Sequence, residues 1–380
     1  MLDLSEEQRL LVDETQRLAE NEFAERAFTW EGDGYPEENI ELLADRGFLG
    51  INLPTEYGGG GMTEFDVALQ IETVGRVCPD TAAAIYGQSM VAPRAIDMFG
   101  SEWAKEHYLP KVTSGELSVA IGISEPEAGS DSRNMTTTVE EADDGELYLN
   151  GEKTWVSNVP ESDAAVIWAK FPEGLGTVIM EFDQPGVEIH QHHTNMHGET
   201  QTQFYMEDVH IPEERVLVRG PEALKQQLKA LNWERCGSSM LANSISLNAF
   251  DKAIDYAQQR EQFDQPIGDF QGIRWKVADM AKQIEGARTL TYRAALSGGG
   301  EDDAPDRLAA SLAKLSTSET VERVVSEALQ IHGANGYQQG HPLEYLYRLA
   351  RGRRIAAGTD EIMKNNIADV VFEDGLPRTL

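Results

Sequence analysis

At 380 residues the chain has room for about two or three domains with ample core. Its 65 acidic residues against 32 basic ones leave a formal charge of −33, which argues against nucleic acid and anionic membranes as partners, since both select basic surfaces. Only 11 of the basic residues are Lys, and the acid is spread in short clusters such as Glu140-Glu141-Ala142-Asp143-Asp144; this composition points to a halophilic protein, soluble in salt that screens repulsion to within about 3 Å at 1 M.

Cys78 and Cys236 are isolated, which gives neither a disulfide framework nor a metal signature. The start, Met1-Leu2-Asp3-Leu4-Ser5-Glu6-Glu7, has no basic region and no apolar core, so it does not read as a signal peptide. No apolar run approaches the ~20 residues of a membrane span, and a soluble, cytoplasmic protein is expected.

Residues 1–118 read as helices. Ser5 with Gln8 three residues on offers a capped start, and Leu10, Val12, Leu18 and Phe23 supply apolar positions. A second helix is expected over 38–46, closing near Gly47. Periodicity then breaks through Leu49-Gly50-Ile51-Asn52-Leu53-Pro54 and Tyr57-Gly58-Gly59-Gly60-Gly61, and helices resume over 64–77 and 81–99.

At 119–131 the chain reads Val-Ala-Ile-Gly-Ile-Ser-Glu-Pro-Glu-Ala-Gly-Ser-Asp. A short apolar run suited to a buried strand gives way at Pro126 to a loop of small residues. Such a loop brings backbone N–H groups close to a flat polar edge or an anion, and it equally suits a plain strand-to-loop corner. The stretch alone leaves both readings open. Asn150-Gly151, flanked by alternating apolar residues, predicts a hairpin turn, and 164–169, 177–182 and 201–206 are further strand candidates. His190, His192, His193 and His197 invite a metal reading, but no second cluster or Cys/Asp partner stands at ligand spacing. An exposed loop or strand is expected there.

From Pro221 the helical period returns. Ile273, Val277, Met280, Ile284 and Ala287 form one stripe, and Leu308, Leu312 and Leu315 restart it after a solvated loop at 298–303. No Gly-x-Gly-x-x-Gly opens a βαβ unit, so a Rossmann site is not indicated.

Ser124-Glu125-Pro126, Ala128-Gly129-Ser130-Asp131 and Trp155-Val156-Ser157-Asn158 together resemble the central segment of the acyl-CoA dehydrogenases. The Pro54 to Gly59 segment is similar to that family's Pro-x-x-Tyr-Gly-Gly. The resemblance implies an α+β multidomain fold: an N-terminal helical domain over 1–118, a middle β-barrel-like domain over 119–222 and a C-terminal four-helix bundle over 223–380. It also implies bound FAD. Ile121, Ile123, Ser124, Gly129 and Ser130 would border the flavin, with Ser130 also touching substrate, and Trp155 with Ser157 would cover the ring.

The family places its catalytic base in one of two ways. Most members carry Glu in a Tyr-Glu-Gly-Thr segment, and here that segment reads Ala356-Ala357-Gly358-Thr359. The isovaleryl-CoA and long-chain dehydrogenases instead put Glu before an Arg on a bundle helix, and here Asn232-Trp233-Glu234-Arg235 is similar to that pair. Loss at one site and gain at the other make a self-consistent set, although a charged pair on a helix is also common as a solvated face. The implied reaction is α,β-dehydrogenation of an acyl-CoA thioester. Glu234 would take the α-proton while a hydride leaves Cβ for flavin N5. A Glu in an apolar pocket, its pKa raised toward neutrality, suits that task.

By the same resemblance Arg235 and Asn232 would face the CoA arm, Asn232 standing where the family often has Asp. The Ala357 N–H beside Gly358, together with the flavin ribityl chain, would meet the developing enolate oxygen. Arg260, Phe263 and Gln271, with Gln330, Gly333 and Ala334, are similar to contacts made to FAD across a subunit boundary, and Thr359 and Glu361 would close on the flavin. Asp264 replaces the usual Gly after Phe263, and Gly333 also reads as a helix C-cap. A homotetramer passing electrons to an electron-transfer flavoprotein is implied. Ala356 and Ala357 leave room for a branch at the substrate's β-carbon; long straight chains stay open, because long-chain members also use the bundle Glu. The other readings are an oxidase or enoyl-CoA reductase of the same fold, and a silent flavin- or CoA-binding subunit.

Overall fold

The first helix begins as its local signals predict. In the computed structural model, which describes residues 4–28, 35–299 and 304–378, the Ser5 hydroxyl accepts from the Gln8 N–H at 3.1 Å while the Gln8 side chain accepts from the Ser5 N–H at 3.0 Å. Residues 1–3, the very start of the chain, and 300–303 of the expected interhelix loop lie outside the described residues.

Among the described residues six α-helices precede the sheet: α1 (Glu6–Leu18), α2 (Glu37–Asp45), α3 (Glu64–Gly75), α4 (Pro79–Met90), α5 (Ala92–Phe99) and α6 (Glu102–Thr113). The single helix expected over 81–99 is therefore two. Val91 leaves helical space at φ −108°, ψ −110°, and Pro93 lacks the N–H that a continuous helix would require there. The strands follow as β1 (Val119–Gly122), β2 (Thr138–Glu141), β3 (Leu147–Ser157), β4 (Ala164–Phe171), β5 (Gly174–Glu181), β6 (Val187–Thr194), β7 (Thr200–Ile211) and β8 (Val216–Val218). After α7 (Ala223–Gln259) come a small hairpin, β9 (Glu261–Gln262) and β10 (Gln265–Pro266), and then α8 (Gln271–Ser297), α9 (Arg307–His332), α10 (Pro342–Gly352) and α11 (Asp360–Asp374). No helix among the described residues is long and apolar enough to cross a membrane.

Asn150-Gly151 is not a turn. β3 runs straight through it, and the β2–β3 turn sits at Asp143-Asp144-Gly145, where the Ala142 N–H donates to the Glu146 carbonyl at 2.9 Å. Gly151 is needed for another reason. Its φ is +144°, and a Cβ there would stand 2.5 Å from the Thr137 hydroxyl. The register of β3 against β7 shifts at this point, so the glycine marks an irregularity in the ladder where two strands pass closely.

The chain divides into two compact units. One holds Met1–Thr29, Ala68–Ala83 and Glu234–Leu380, and the other holds Trp30–Val67 and Ala84–Trp233. In the second unit the strands form one mixed sheet in the order β6-β7-β3-β2-β4-β5-β8, with β1 parallel to β4. β4 is apolar from Ala164 to Ala169 because both its faces are covered there. Ala165, Ile167, Ala169 and Phe171 join the core formed with Leu149, Met180, Phe204 and Val209, while Ala164 and Val166 pack with α5 and α6. Val187 of β6 and Val216 of β8, at opposite ends of the strand order, pack against that same inner core, so the sheet rolls on itself as a barrel-like domain does.

In the first unit α9 is the central helix, and α8, α10 and α11 each pack on it. Its buried positions are dominated by small residues such as Ala309, Ala310, Ala313 and Ala328, which permit close helix approach. Leu312 and Leu315 of the expected stripe are only half-buried. On α8 the stripe is buried from Met280 through Ile284 to Ala287, whereas Ile273 and Val277 remain half-exposed. The Asn243 amide donates to Thr291 at 3.2 Å and ties α7 to α8.

Candidate active site

In the sheet-containing unit the motif at 119–131 is a strand followed by a loop that is bonded across to β3. β1 ends at Gly122, where any side chain would collide with Ile167 and Lys153. The Thr154 N–H donates to the Ser124 carbonyl at 2.9 Å, and Lys153 donates to the Ile123 carbonyl at 3.1 Å and to Glu125 at 2.9 Å. Glu125 also accepts from the Thr136 and Thr137 backbone N–H groups. Neither member of this ion pair meets solvent, their side chains being 0 % and 2 % exposed. Burial alone would raise the Glu125 pKa, but hydrogen bonds from Thr137, Lys153 and Thr136 hold it down at about 2. Burial lowers Lys153 to about 8 in spite of Glu125. The pair is charged at neutral pH and fastens the loop to β3.

The next residues on β3 carry the consequence. The ladder to β7 shifts register between Lys153 and Val156, and Trp155 adopts φ +59°. A bulge of this kind turns one side chain out of the sheet. Trp155 is accordingly 54 % exposed beside buried Thr154 and Val156, with its ring against His193 at 5.0 Å between centroids. Ile121, Ile123, Ser124 and Ser157 are half-buried, and Gly129 and Ser130 are exposed. A Cβ at Gly129 would meet nothing within 4 Å, so packing leaves that spot open. Among the described residues β1 is laddered to β4 alone. A flavin fits this set of groups, because a flat polar ring needs backbone donors along its edge and an exposed aromatic over its face.

In the helical unit Glu234 is 9 % exposed and Arg235 is 4 % exposed. Burial lifts the Glu234 carboxyl from 4.5 to about 7, with Arg235 and Lys314 pulling the other way. Burial lowers Arg235 to about 10. Asn232, two residues earlier on α7, is buried as well.

The segment after α10 is shaped by two residues in left-handed space, Ala357 at φ +56° and Gly358 at φ +92°. A Cβ on Gly358 would stand 3.0 Å from the Met363 methyl and 3.8 Å from the Arg235 guanidinium, which puts Arg235 beside this turn. Thr359 then caps α11 through the Ile362 N–H, and Glu361 lies exposed in its first turn. The turn is fastened by charge. Lys314 donates to the Arg353 carbonyl at 2.6 Å, and Arg354 bridges Asp360 at 2.6 Å and Glu322 at 2.7 Å. Ser318 also donates to Asp360 at 2.6 Å.

The remaining candidates lie in this unit too. Phe263 and Asp264 form the β9–β10 turn with φ +56° and +63°, a pair of values that two-residue hairpins favour. Asp264 thus takes the left-handed conformation for which Gly is the usual choice, a conformation Asp tolerates. Phe263 is 88 % exposed, and Arg260 and Gln271 are exposed on either side of the hairpin. α9 ends with Gly333 as its C-cap at φ +58°, as the sequence suggests, leaving Gln330 and Ala334 exposed. His332 stacks on Tyr256 at 4.2 Å, which anchors this end of α9 to α7. The histidines of β6 lie on an exposed strand, and no cluster suited to a metal ion occurs among the described residues.

Sequence reasoning assigned no role to Lys153, Lys314, Arg354 or Asp360. The available signal was a lone Lys inside an apolar run, as in Ala313-Lys314-Leu315, in a chain where Lys is scarce.

Three family models match successive parts of the chain: the N-terminal domain of acyl-CoA dehydrogenase over residues 5–116, the middle domain over 120–209 and the C-terminal domain over 224–372. The chain is 33 % identical to the 3-sulfinopropanoyl-CoA desulfinase of Advenella mimigardefordensis, over 100 % of this chain and 97 % of that one. It is also 33 % identical to the NADH-dependent acryloyl-CoA reductase of Anaerotignum propionicum, over 97 % of this chain and 95 % of the other. Among solved structures, butyryl-CoA dehydrogenase from Megasphaera elsdenii superposes with a TM-score of 0.91 at 28 % identity, covering 98 % of this chain and 100 % of that one.

Proposed function

The chain belongs to the acyl-CoA dehydrogenase family, and on that footing we propose that Glu234 is the base that removes the α-proton of an acyl-CoA thioester. The protein is a flavin-dependent oxidoreductase; bound FAD would supply the acceptor for the hydride from the substrate's β-carbon. One observation carries the assignment of the base: Glu234 is buried with its pKa raised to about 7, while Ala357 occupies the position where most of the family carries Glu. A carboxylate of that basicity gains a proton readily at neutral pH and is shielded from competing water. Arg235 and Lys314 keep enough of it ionised to act.

The other roles follow from the chemistry of each group. The Ala357 N–H, freed from helical bonding by its left-handed backbone, is suited to the enolate oxygen, with Gly358 leaving space beside it. Arg235 and Asn232 take the CoA arm, and Ser130 takes the thioester end. Ile121, Ile123, Ser124, Gly129 and Ser157 line the flavin, and Trp155 covers it. Arg260, Phe263, Gln271, Gln330, Gly333 and Ala334 reach the FAD of a second copy in a homotetramer, and Thr359 and Glu361 close on the flavin. An electron-transfer flavoprotein is the acceptor.

The test is the visible spectrum of the purified protein, titrated without oxygen with isovaleryl-CoA and with a straight-chain series. Bleaching by one of these is expected and identifies the chain type. Similarity to an acryloyl-CoA reductase supports the reverse direction as a second reading. Reduced protein that is reoxidised by enoyl-CoA, with no bleaching by any saturated thioester, would favour it. Bound flavin that responds to neither would sink both.

A further inference from the structure

Two irregularities of the sheet fall on the same short stretch of β7, between Thr202 and Phe204. On β3, Thr154 and Trp155 together fill the step between Lys153, which pairs with Phe204, and Val156, which pairs with Thr202. On β6, His190 is an extra residue between Ile189, which pairs with Phe204, and Gln191, which pairs with Gln203. A bulge on β6 alone would be a common way to blunt an edge strand. β3 lies inside the strand order, so its bulge has another use.

The β3 bulge turns the Trp155 indole out of the sheet, and the β6 bulge decides which histidine meets it. Past the two bulges, Ser157, Gln201 and His193 stand in one row across β3, β7 and β6, and Val156, Thr202 and His192 stand in the next. Residues directly opposite one another share a face. Val156 and Thr202 are buried, so their row points into the core and His193 lies on the opposite face with Ser157. Without the extra residue at His190 the register would slip by one, and His192 would take that place. His190 and His192 are exposed, the first against Tyr205 and the second bonded to Thr202. His193 is half-buried, its ring against the Trp155 indole at a tilt of 46°.

We infer that His193 is a positioning residue for Trp155, its ring the shelf that holds the indole over the flavin. This rests on the reading of Trp155 as the cover of the flavin. An indole turned out of its strand at φ +59° and 54 % exposed needs support from outside that strand. His193 gives it from across β7, at a separation and tilt that suit aromatic pairs. Ring contact is the means, so a phenyl group would serve as well as an imidazole.

The experiment measures FAD affinity of the flavin-free protein and the emission of bound flavin, which an indole packed on the ring quenches. The variants are His193→Ala, His193→Phe, Trp155→Leu and Trp155→Leu combined with His193→Ala. His193→Ala should bind FAD about fivefold more weakly, the worth of one aromatic pair, and its flavin should be brighter. His193→Phe should match wild type in both. Once Trp155 is Leu, adding His193→Ala should change the affinity by less than about twofold, because the histidine acts through the indole. Without flavin, His193→Ala should melt with wild type, since the ring serves the site and not the core.

His193→Phe that behaves like His193→Ala, or losses that multiply in the double variant, would overturn the assignment. A lower melting point of flavin-free His193→Ala would give the ring to the fold and overturn it too. Trp155→Leu that changes neither affinity nor emission overturns the reading of Trp155 and this one together. A clear effect of Trp155→Leu with none of His193→Ala overturns this one alone.

Discussion

Replacing Glu234 by Gln separates the burial of a charge from its chemistry. The folded carboxyl titrates at about 7 rather than 4.5, so between those values the folded protein keeps a proton that the unfolded chain has released. Stability therefore falls as pH rises through that window, and above it the buried carboxylate costs up to about 3 kcal/mol. Glutamine keeps the shape without the charge. Arg235 and Lys314 each lose a countercharge in the exchange, which reduces the expected gain to about 1–2 kcal/mol at pH 8. At pH 5, where the wild-type carboxyl is already neutral, the two proteins should melt alike. Turnover should fall about 10²–10⁴-fold, the usual worth of a positioned base. Wild-type kcat/KM should rise with pH through about 7. Melting curves at pH 5 and 8 and steady-state rates with the best acyl-CoA suffice to check this. A stability difference that ignores pH, or turnover within tenfold of wild type, would refute the reasoning.

Lys153→Met leaves Glu125 charged, buried and without its ion-pair partner, and should cost about 3–5 kcal/mol by thermal unfolding, much of it restored by adding Glu125→Leu. The Glu125 carboxyl is held below its unfolded pKa, so its stabilisation is full above about 4.5 and is lost as pH falls toward 2; an acid titration of the double variant should lack that drop. Arg354→Gln unties Asp360 and Glu322 from the turn that carries Ala357, and should lower kcat more than it raises KM in rate measurements over a range of acyl-CoA concentrations. A melting temperature that climbs from about 0.1 to 2 M potassium chloride is expected from the charge of −33, and a transition indifferent to salt would count against adaptation to brine.

Signals that act over one turn of chain were legible in the sequence. The Ser5–Gln8 cap, the Gly333 helix end and the apolar run of β4 over 164–169 depend on neighbours a few residues away, or on burial that makes each position of the run apolar. Asn150-Gly151 misleads because the same dipeptide serves two needs. Its turn propensity is local, whereas the glycine is required by Thr137 just before the adjoining strand, a tertiary cause invisible in a short window. The site divides in the same way. Glu234, Ala357 and Trp155 stood out as candidates through family resemblance, which supplies long-range context. The residues that hold them in place were not, since Lys153 finds Glu125 across 28 positions and Lys314 finds the Arg353 carbonyl across 39. A buried ammonium has no periodicity that distinguishes it from a surface one.

Lys153 and Lys314 are fully enclosed in a chain that has only 11 lysines. Reagents that modify amines should therefore spare these two in the native protein and reach them only when the local structure opens. Mass-spectrometric labelling over time would then turn each into a clock for its own region. Lys153 times the release of the loop after β1 from its strand, and Lys314 times the loosening of the turn at Ala357. The two rates could be read from one sample, with no probe introduced and no substrate present.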